Sequence, residues 1–246
     1  MLNEILRDGL AMDYHVNTDR IRNLGSFDPL PQYKIYPGAR TIQLPRHTQE
    51  DNDAFVRLLL GRKSRRDFSQ QGISQDQLGQ LLSLSFGISH SGYDGMLFRT
   101  YASAGGRFPI EVYPVVLRSE DLEPGIYHYN VLDNSLELIR PGQFETELNG
   151  FYANQPFQNV PCYILFSMVF ERTMQKYGER GYRFLYLDAG HMGQNLYLVA
   201  EHLGLGAVAI GGGNASDTVI DSLLHINRSE ESFFYGFAVG TPEETP

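Results

Sequence analysis

Residues Lys176 to Gly206 read KYGERGYRFLYLDAGHMGQNLYLVAEHLGLG, and this stretch decides the fold. Tyr182, Leu185, Tyr186, Ala189, Met192, Gly193, Leu196, Val199, Ala200 and Leu203 recur at three- and four-residue steps, the period of one helix face. Phe184, Leu187, Tyr197 and Leu198 lie off that stripe, so the other side is scarcely more polar. A helix apolar nearly all round is buried on most sides. We expect a central helix packed on its own core and on a second subunit. Gly190 and Gly193 each cost about 1 kcal/mol of helix propensity, and both would let a neighbouring backbone come close. Gly204 is the expected C-cap. Lys176 and Tyr177 precede the helix, a base and a phenol at its expected entrance, although an exposed Lys beside a half-buried Tyr is also an ordinary surface pair.

Composition narrows the function. At 246 residues the chain fits one large domain, or a domain with an extension. A net charge of −9 argues against a general nucleic-acid binder, because phosphate contacts need clustered cations. The lone Cys162 cannot form an internal disulfide, which fits a reducing compartment. The start, MLNEILRDGLAMDYH, carries acids where a signal peptide is basic, and no stretch approaches the length of a membrane span. The expectation is a cytoplasmic protein that does not engage membranes.

Outward from the helix, the chain divides into an irregular N-terminal arm (1–50) and a domain (51–246). The arm opens with a short amphipathic helix on Leu2, Ile5, Leu6 and Leu10. Pro29, Pro31, Pro37 and Pro45 then punctuate it, so it should wrap the surface or a partner. A helix is expected from Asp53 to Leu60, stopping at Gly61. Another follows the capping box Ser74-Gln75-Asp76-Gln77, with Leu78, Leu81, Leu82 and Phe86 as its inner face. Gly87 to Phe98 reads as a loop. Ile110 to Leu117 reads as a strand whose Pro114 suggests an edge or a bulge. Ile126–Tyr129 and Ser135–Ile139 suit a hairpin, and Val160 to Met168 a buried central strand. Ala207–Ile210 and Phe233–Val239 complete the strands, and Ser216 is the expected cap of a last helix ending at Leu224. Strands and helices mix without a regular βαβ repeat, so the class is α+β.

Four segments could carry chemistry. Arg62-Lys63-Ser64-Arg65-Arg66 sets four cations around one hydroxyl, suited to a phosphate but equally to a solvated basic loop. Tyr101 to Pro109 contains Ser103-Ala104-Gly105-Gly106, small residues that expose backbone to a planar ligand. It lacks the glycine spacing of a nucleophile elbow. Ile210-Gly211-Gly212-Gly213 approaches a dinucleotide fingerprint without its third glycine, so a Gly-rich turn beside a flat ring fits as well. The fourth is Lys176-Tyr177, where convergence of the two side chains could make either a base near neutral pH. The seven histidines form no tight ligand pair, so no metal is inferred. Cys162 lies in the buried-strand run and reads as packing.

Taken in order, Arg62-x-Ser64-x-Arg66-x-Phe68, Arg99-Thr100-x-x-Ser103-Ala104-Gly105, Lys176-Tyr177-Gly178 and Tyr182-Arg183…Asp188-Ala189-Gly190-His191 resemble the nitroreductase-like flavoproteins. Within them they resemble the SagB-type azoline dehydrogenases of thiazole/oxazole-modified peptide pathways. Gly125-x-Tyr127-x-Tyr129 is similar to that subfamily too, as is Tyr14-His15 in the arm. The resemblance implies a nitroreductase-like mixed sheet flanked by helices, dimerising through the long central helix, with FMN in the subunit interface. It places Arg62, Lys63, Ser64 and Arg66 on the flavin's phosphate, ribityl chain and pyrimidine edge. It brings Ser103, Ala104 and Gly105 from the other subunit, and sets Ile210, Gly211 and Gly212 along the ring near N5. Lys176 and Tyr177 match the catalytic base site. The implied reaction oxidises a peptide thiazoline or oxazoline to the azole, with hydride passing to flavin N5 and a cyclase as partner. Two positions depart from the pattern. Ala102 stands where the family often has Pro, and no basic residue follows Thr241, which leaves the phosphate to the Arg62–Arg66 loop. The alternatives are an NAD(P)H-dependent nitro or quinone reductase on the same fold and a non-catalytic flavin-binding subunit.

Overall fold

The structure is a computed structural model that describes residues 10–18, 33–46, 53–155 and 157–243. Helices α1 to α7 span Leu10–Asn17, Ala54–Gly61, Gln75–Phe86, Glu145–Phe151, Phe170–Tyr177, Gly181–His202 and Thr218–Leu224. Strands β1 to β8 span Ile88–Ser91, Leu97–Arg99, Ile110–Val116, Gly125–Asn130, Ser135–Pro141, Cys162–Val169, Gly206–Ile210 and Glu231–Gly240. The helix expected on Leu2, Ile5 and Leu6 lies outside the described residues, as do Pro29 and Pro31.

Six strands form one sheet in the order β5-β4-β3-β6-β8-β7, with every named pairing antiparallel. Parallel pairing enters through isolated bridges, Ser64 with Ala207 and Asp67 with Gln158. The α+β class is therefore borne out. Along β6 the side chains alternate between two cores, as a strand buried on both faces must. Cys162, Ile164, Phe166 and Met168 join the inner faces of α3 and α6. Tyr163 and Leu165 join Leu148 and Phe151 of α4 with Ile220, Leu223 and Leu224 of α7. The sheet is thus covered by helices on both sides, and α6 crosses its middle.

The central helix follows its sequence closely. Leu185, Ala189, Met192, Leu196 and Ala200 are buried, and the helix ends where Gly204 takes φ +71. Leu203 is the cap residue, Leu205 N–H bonds the Ala200 carbonyl at 2.8 Å and Gly204 N–H that of Glu201 at 3.2 Å, a Schellman ending. Gly193 is where close approach matters, since an added Cβ would sit 2.9 Å from Phe237 Cζ and 3.3 Å from a Tyr235 ring carbon. Gly190 is exposed with nothing near its Cβ position. Gly193→Ala should destabilise by about 1–3 kcal/mol through overpacking, whereas Gly190→Ala should stabilise slightly. Urea unfolding of the two variants would check the contrast, and equal effects would refute it.

Several local expectations need correction. β3 is an interior strand despite Pro114: its ladder with β6 runs unbroken from Ile110 to Val116, while pairing with β4 begins only at Val115. Proline is tolerated because it lies where one of the two ladders stops. The expected loop from Gly87 holds the hairpin β1–β2 instead, closed by Gly92 N–H on the Met96 carbonyl and tied by Ser89 Oγ to the Phe98 and Arg99 carbonyls. Its first strand, Ile-Ser-His-Ser, is exposed throughout, so no apolar alternation marks it. Asp217, not Ser216, is the cap residue of α7, and Ser216 Oγ accepts from Thr218 N–H at 3.3 Å. Helix α4 has no side-chain cap and only two buried residues, a signal too short to read beforehand.

Candidate functional site

Two of the four segments meet. Gly105 has φ +64, and a Cβ there would lie 2.5 Å from Tyr177 Oη and 2.8 Å from Lys176 Nζ. Lys176 Nζ and Tyr177 Oη therefore stand against the glycine backbone, where a side chain would displace them, and the positive φ favours glycine. Lys176 and Tyr177 form the last turn of α5, not the entrance of the central helix as expected; Gly178, at φ +58, and a 3-10 turn to Arg180 separate them from α6. The Lys176 ammonium lies 5.3 Å from the centre of the Tyr177 ring, and Phe184 stands edge-on to that ring at 4.9 Å.

The Ser103–Gly105 loop is held from α6 by a residue that the site expectations omitted. Asp188 is buried and accepts from Ser103 Oγ at 2.5 Å and Ala104 N–H at 3.1 Å. Ser103 Oγ in turn accepts Phe108 N–H at 2.8 Å, and His191 Nδ1 bonds the Ala102 carbonyl at 2.9 Å. Burial pushes the Asp188 carboxyl above its ordinary value of 3.8, against the opposing pull of the Ser103 and Ala104 bonds. The clue was present in the sequence: an Asp at a stripe position between Leu185 and Met192 must be satisfied by something.

The Arg62–Arg66 loop lies against β7, the strand that leads into the Ile210–Gly213 turn. Ser64 pairs with Ala207 of β7, and Arg65 N–H bonds the Ala207 carbonyl at 3.0 Å. Tyr197 of α6 joins them, its hydroxyl 3.1 Å from Ser64 Oγ and accepting Ala209 N–H at 2.8 Å, while the Arg62 guanidinium covers its ring at 4.9 Å. Ile210 follows at once and is buried, whereas Gly211 is exposed with open space at its Cβ position. Gly213 is pinned against the Phe151 carbonyl and ring, which leave no room for a side chain, and Asn214 N–H bonds that carbonyl at 2.9 Å. Lys63 and Arg66 are exposed on the same loop. Among the described residues, Arg62, Lys63, Arg65 and Arg66 make no ion pair. Exposed cations beside an exposed glycine turn suit a phosphate and a flat ring.

Within one chain the two clusters do not join. Asp188 and Tyr197 are nine residues apart on α6, so they stand about 13 Å apart along the axis and half a turn round it. Between them the helix leaves Arg183, Leu187, Gly190 and Gln194 exposed at three-four spacing, with Leu187 57% exposed.

Helix α5 is steadied from the sheet. Arg172 pairs with Glu111 and donates to the Phe108 carbonyl, and His128 bridges Glu111 and Glu137 at 2.9 and 2.8 Å. The Glu111 bond raises His128 above 6.5, with burial opposing and Glu137 adding. Burial alone would raise Glu111, but His128 and Arg172 together hold it below 4.5. The His128 contribution is complete below pH 6.5 and lost as pH rises through its higher folded value. That of Glu111 is present above 4.5 and lost as pH falls through its lower one. The wild-type melting temperature should therefore exceed that of His128→Gln most near pH 5–6, with the gap closing towards pH 9. A gap independent of pH would contradict the pairing. Among the described residues no helix is long and apolar enough to cross a membrane.

Comparison with known proteins places these clusters in context. The pattern described as Nitroreductase family matches residues 59–241. MJ1384 of Methanocaldococcus jannaschii, provisionally named a nitroreductase, is 32% identical over 155 residues, 63% of this chain and 76% of that protein. The microcin B17-processing protein McbC of Escherichia coli is 32% identical over 117 residues, 45% of this chain; the chain spans less than half of McbC's length, 43%. Among solved structures, the E. coli microcin synthetase McbBCD complex with truncated pro-MccB17 bound contains a chain with TM-score 0.76 at 21% identity. That match covers 98% of this chain and 94% of the other, and it establishes likeness of fold.

Proposed function

The chain belongs to the nitroreductase family, a family of flavin-dependent oxidoreductases, and from that premise we propose that it is an FMN-dependent dehydrogenase of the SagB type, oxidising thiazoline or oxazoline rings in a peptide. The observation that carries this reading is the convergence of Lys176 Nζ and Tyr177 Oη on Gly105. A reductase that takes electrons from a nicotinamide and gives them to a nitro group or quinone has no need of a paired base at that place. The match to McbC, whose name records peptide processing, points the same way.

In this reading Arg62, Lys63, Ser64 and Arg66 hold the FMN phosphate, ribityl chain and pyrimidine edge, and Ile210, Gly211 and Gly212 border the ring. The four cations, which make no ion pair among the described residues, and the open space at Gly211 fit such a group. When bound, the flavin supplies the acceptor for two electrons and a hydrogen. The chain's own part is the proton. One azoline C–H would give its proton to Lys176 or Tyr177, and the ring becomes aromatic once the neighbouring carbon has also lost its hydrogen together with two electrons. Gly105, having no side chain, lets those two atoms stand against its backbone, and Asp188 holds the Ser103–Gly105 loop in place. The placement of the two clusters on opposite sides of α6 favours a homodimer, in which Ser103, Ala104 and Gly105 of one copy complete the FMN site of the other. The exposed Leu187 stripe, and α2 with Phe55, Leu59 and Leu60 exposed and no residue buried, offer surfaces for that pairing. A cyclase that forms the azoline is the implied partner, and the cytoplasm the implied compartment.

The test is incubation of the flavin-loaded protein with a synthetic thiazoline peptide and, separately, with its oxazoline counterpart. Loss of two hydrogens from the peptide by mass spectrometry supports the reading. Azolines left intact in the presence of oxygen and a copurified cyclase would overturn it.

A further inference from the structure

Among the described residues, helix α1 meets the domain through His15 and Tyr14. His15 is 2% exposed, and its Nε2 lies 2.9 Å from Ser232 Oγ, 217 residues away on β8. Ser232 Oγ donates in turn to Asp221 on α7, 2.9 Å from Oδ2, so its lone pairs are free to accept the His15 N–H. Asp221 also accepts Phe233 N–H at 2.6 Å and faces Arg228 at 3.7 Å. The imidazole thus enters a buried polar slot lined by the last strand and the last helix. Its ring meets Phe170 edge-on at 5.6 Å and Tyr182 at 6.4 Å, and those two rings stack on each other at 6.3 Å. Next to it, Tyr14 stands edge-on to Tyr182 and Tyr186 at 6.2 and 6.5 Å.

The positions of these partners give the contact its meaning. Phe170 is the first residue of α5 and Tyr182 the second of α6, so the strap grips both helices that flank the Lys176–Gly178 junction. Helix α5 has eight residues and no side-chain cap, and it ends at Gly178, a glycine at φ +58. Its inward residues are Phe170, Thr173 and Met174, so rotation of the helix about its axis would swing Lys176 and Tyr177 away from Gly105. Locking Phe170 from outside opposes that rotation.

We propose that α1 is a strap that positions the α5–α6 junction, with His15 as its anchor and a positioning residue for Lys176 and Tyr177. The functional half of this inference rests on the assignment of that pair to the reacting site. The experiment is amide hydrogen exchange on the full-length, flavin-loaded protein, comparing wild type, His15→Ala and His15→Gln. In His15→Ala, amides from Lys176 to Leu185 should exchange about tenfold faster while those of β3 and β6 stay unchanged, as expected of a local opening. His15→Gln, which can still donate to Ser232 Oγ, should restore most of the protection. Unchanged exchange at the junction, or a uniform rise across the sheet, overturns the strap. Should His15→Ala fail to fold, Tyr14→Ala probes the same junction from its exposed side under the same criteria. Azoline oxidation by His15→Ala should fall with KM unchanged, and the fall should vanish in a Tyr177→Phe background, because both act through one group. Local exchange that rises while Lys176→Ala and Tyr177→Phe remain fully active leaves the anchor standing and removes the site assignment instead.

Discussion

Lys176→Ala and Tyr177→Phe should each reduce azoline oxidation by about 10²- to 10⁴-fold, the usual worth of a positioned proton acceptor, while flavin content is unchanged. The reason is geometric. Lys176 Nζ and Tyr177 Oη converge on Gly105, so in the proposed reading the two sit close enough together to serve one proton transfer. Neither side chain enters the core: Lys176 is exposed and Tyr177 half-buried, so their loss should leave the melting temperature nearly unaltered. The effect should therefore appear in kcat without a matching change in stability. The two losses should not add, because the pair acts as one site. Full activity in both variants would sink the base assignment.

Asp188→Ala should have the second largest effect, on both stability and turnover. The buried carboxylate satisfies Ser103 Oγ and Ala104 N–H, and its removal orphans two donors at about 1–3 kcal/mol each. The loop would then lose its attachment to α6, and Gly105 its place beneath Lys176 and Tyr177. Asp188→Asn keeps one acceptor oxygen and should lose less. The pH response separates the two roles of the carboxylate. Its folded value is raised, so the native state holds the proton more readily and stability falls as pH rises from 3.8 through that value. Asp188→Asn removes that slope, so its deficit relative to wild type should shrink above the folded value. Melting curves across pH 3–8 would show this, and an Asp188→Ala protein as stable and active as wild type would contradict the tether.

Much of this arrangement was legible in the sequence, and what was missed has physical causes. The central helix, the capping box at Ser74 and the buried strand β6 follow from periodicity and local capping, which act within a few residues. Pro114 misled because a missing amide is costly only where a ladder needs it, and ladder ends are set by partners far along the chain. The site segments could be found as clusters of small and cationic residues, but their pairing could not. Tyr197 reads as one more apolar residue on a helix, yet its hydroxyl joins Ser64 to Ala209. Asp188 lies in the Asp188-Ala189-Gly190-His191 motif, but only the fold reveals which donors reach it. Tyr14-His15 stood out only by resemblance, without a role, because the partner of His15 lies 217 residues away.

The central claim is that a flavin on this scaffold takes its electrons from a peptide azoline. The direct measurement is the absorption spectrum of the purified, FMN-loaded protein under anaerobic conditions, followed after addition of azoline peptide, NADPH or NADH. The account predicts a yellow protein that bleaches with the azoline and keeps its colour with either nucleotide. Rapid bleaching by NADPH or NADH with none by the azoline would make it a reductase, and a colourless protein that cannot be loaded with FMN would contradict the flavin site itself.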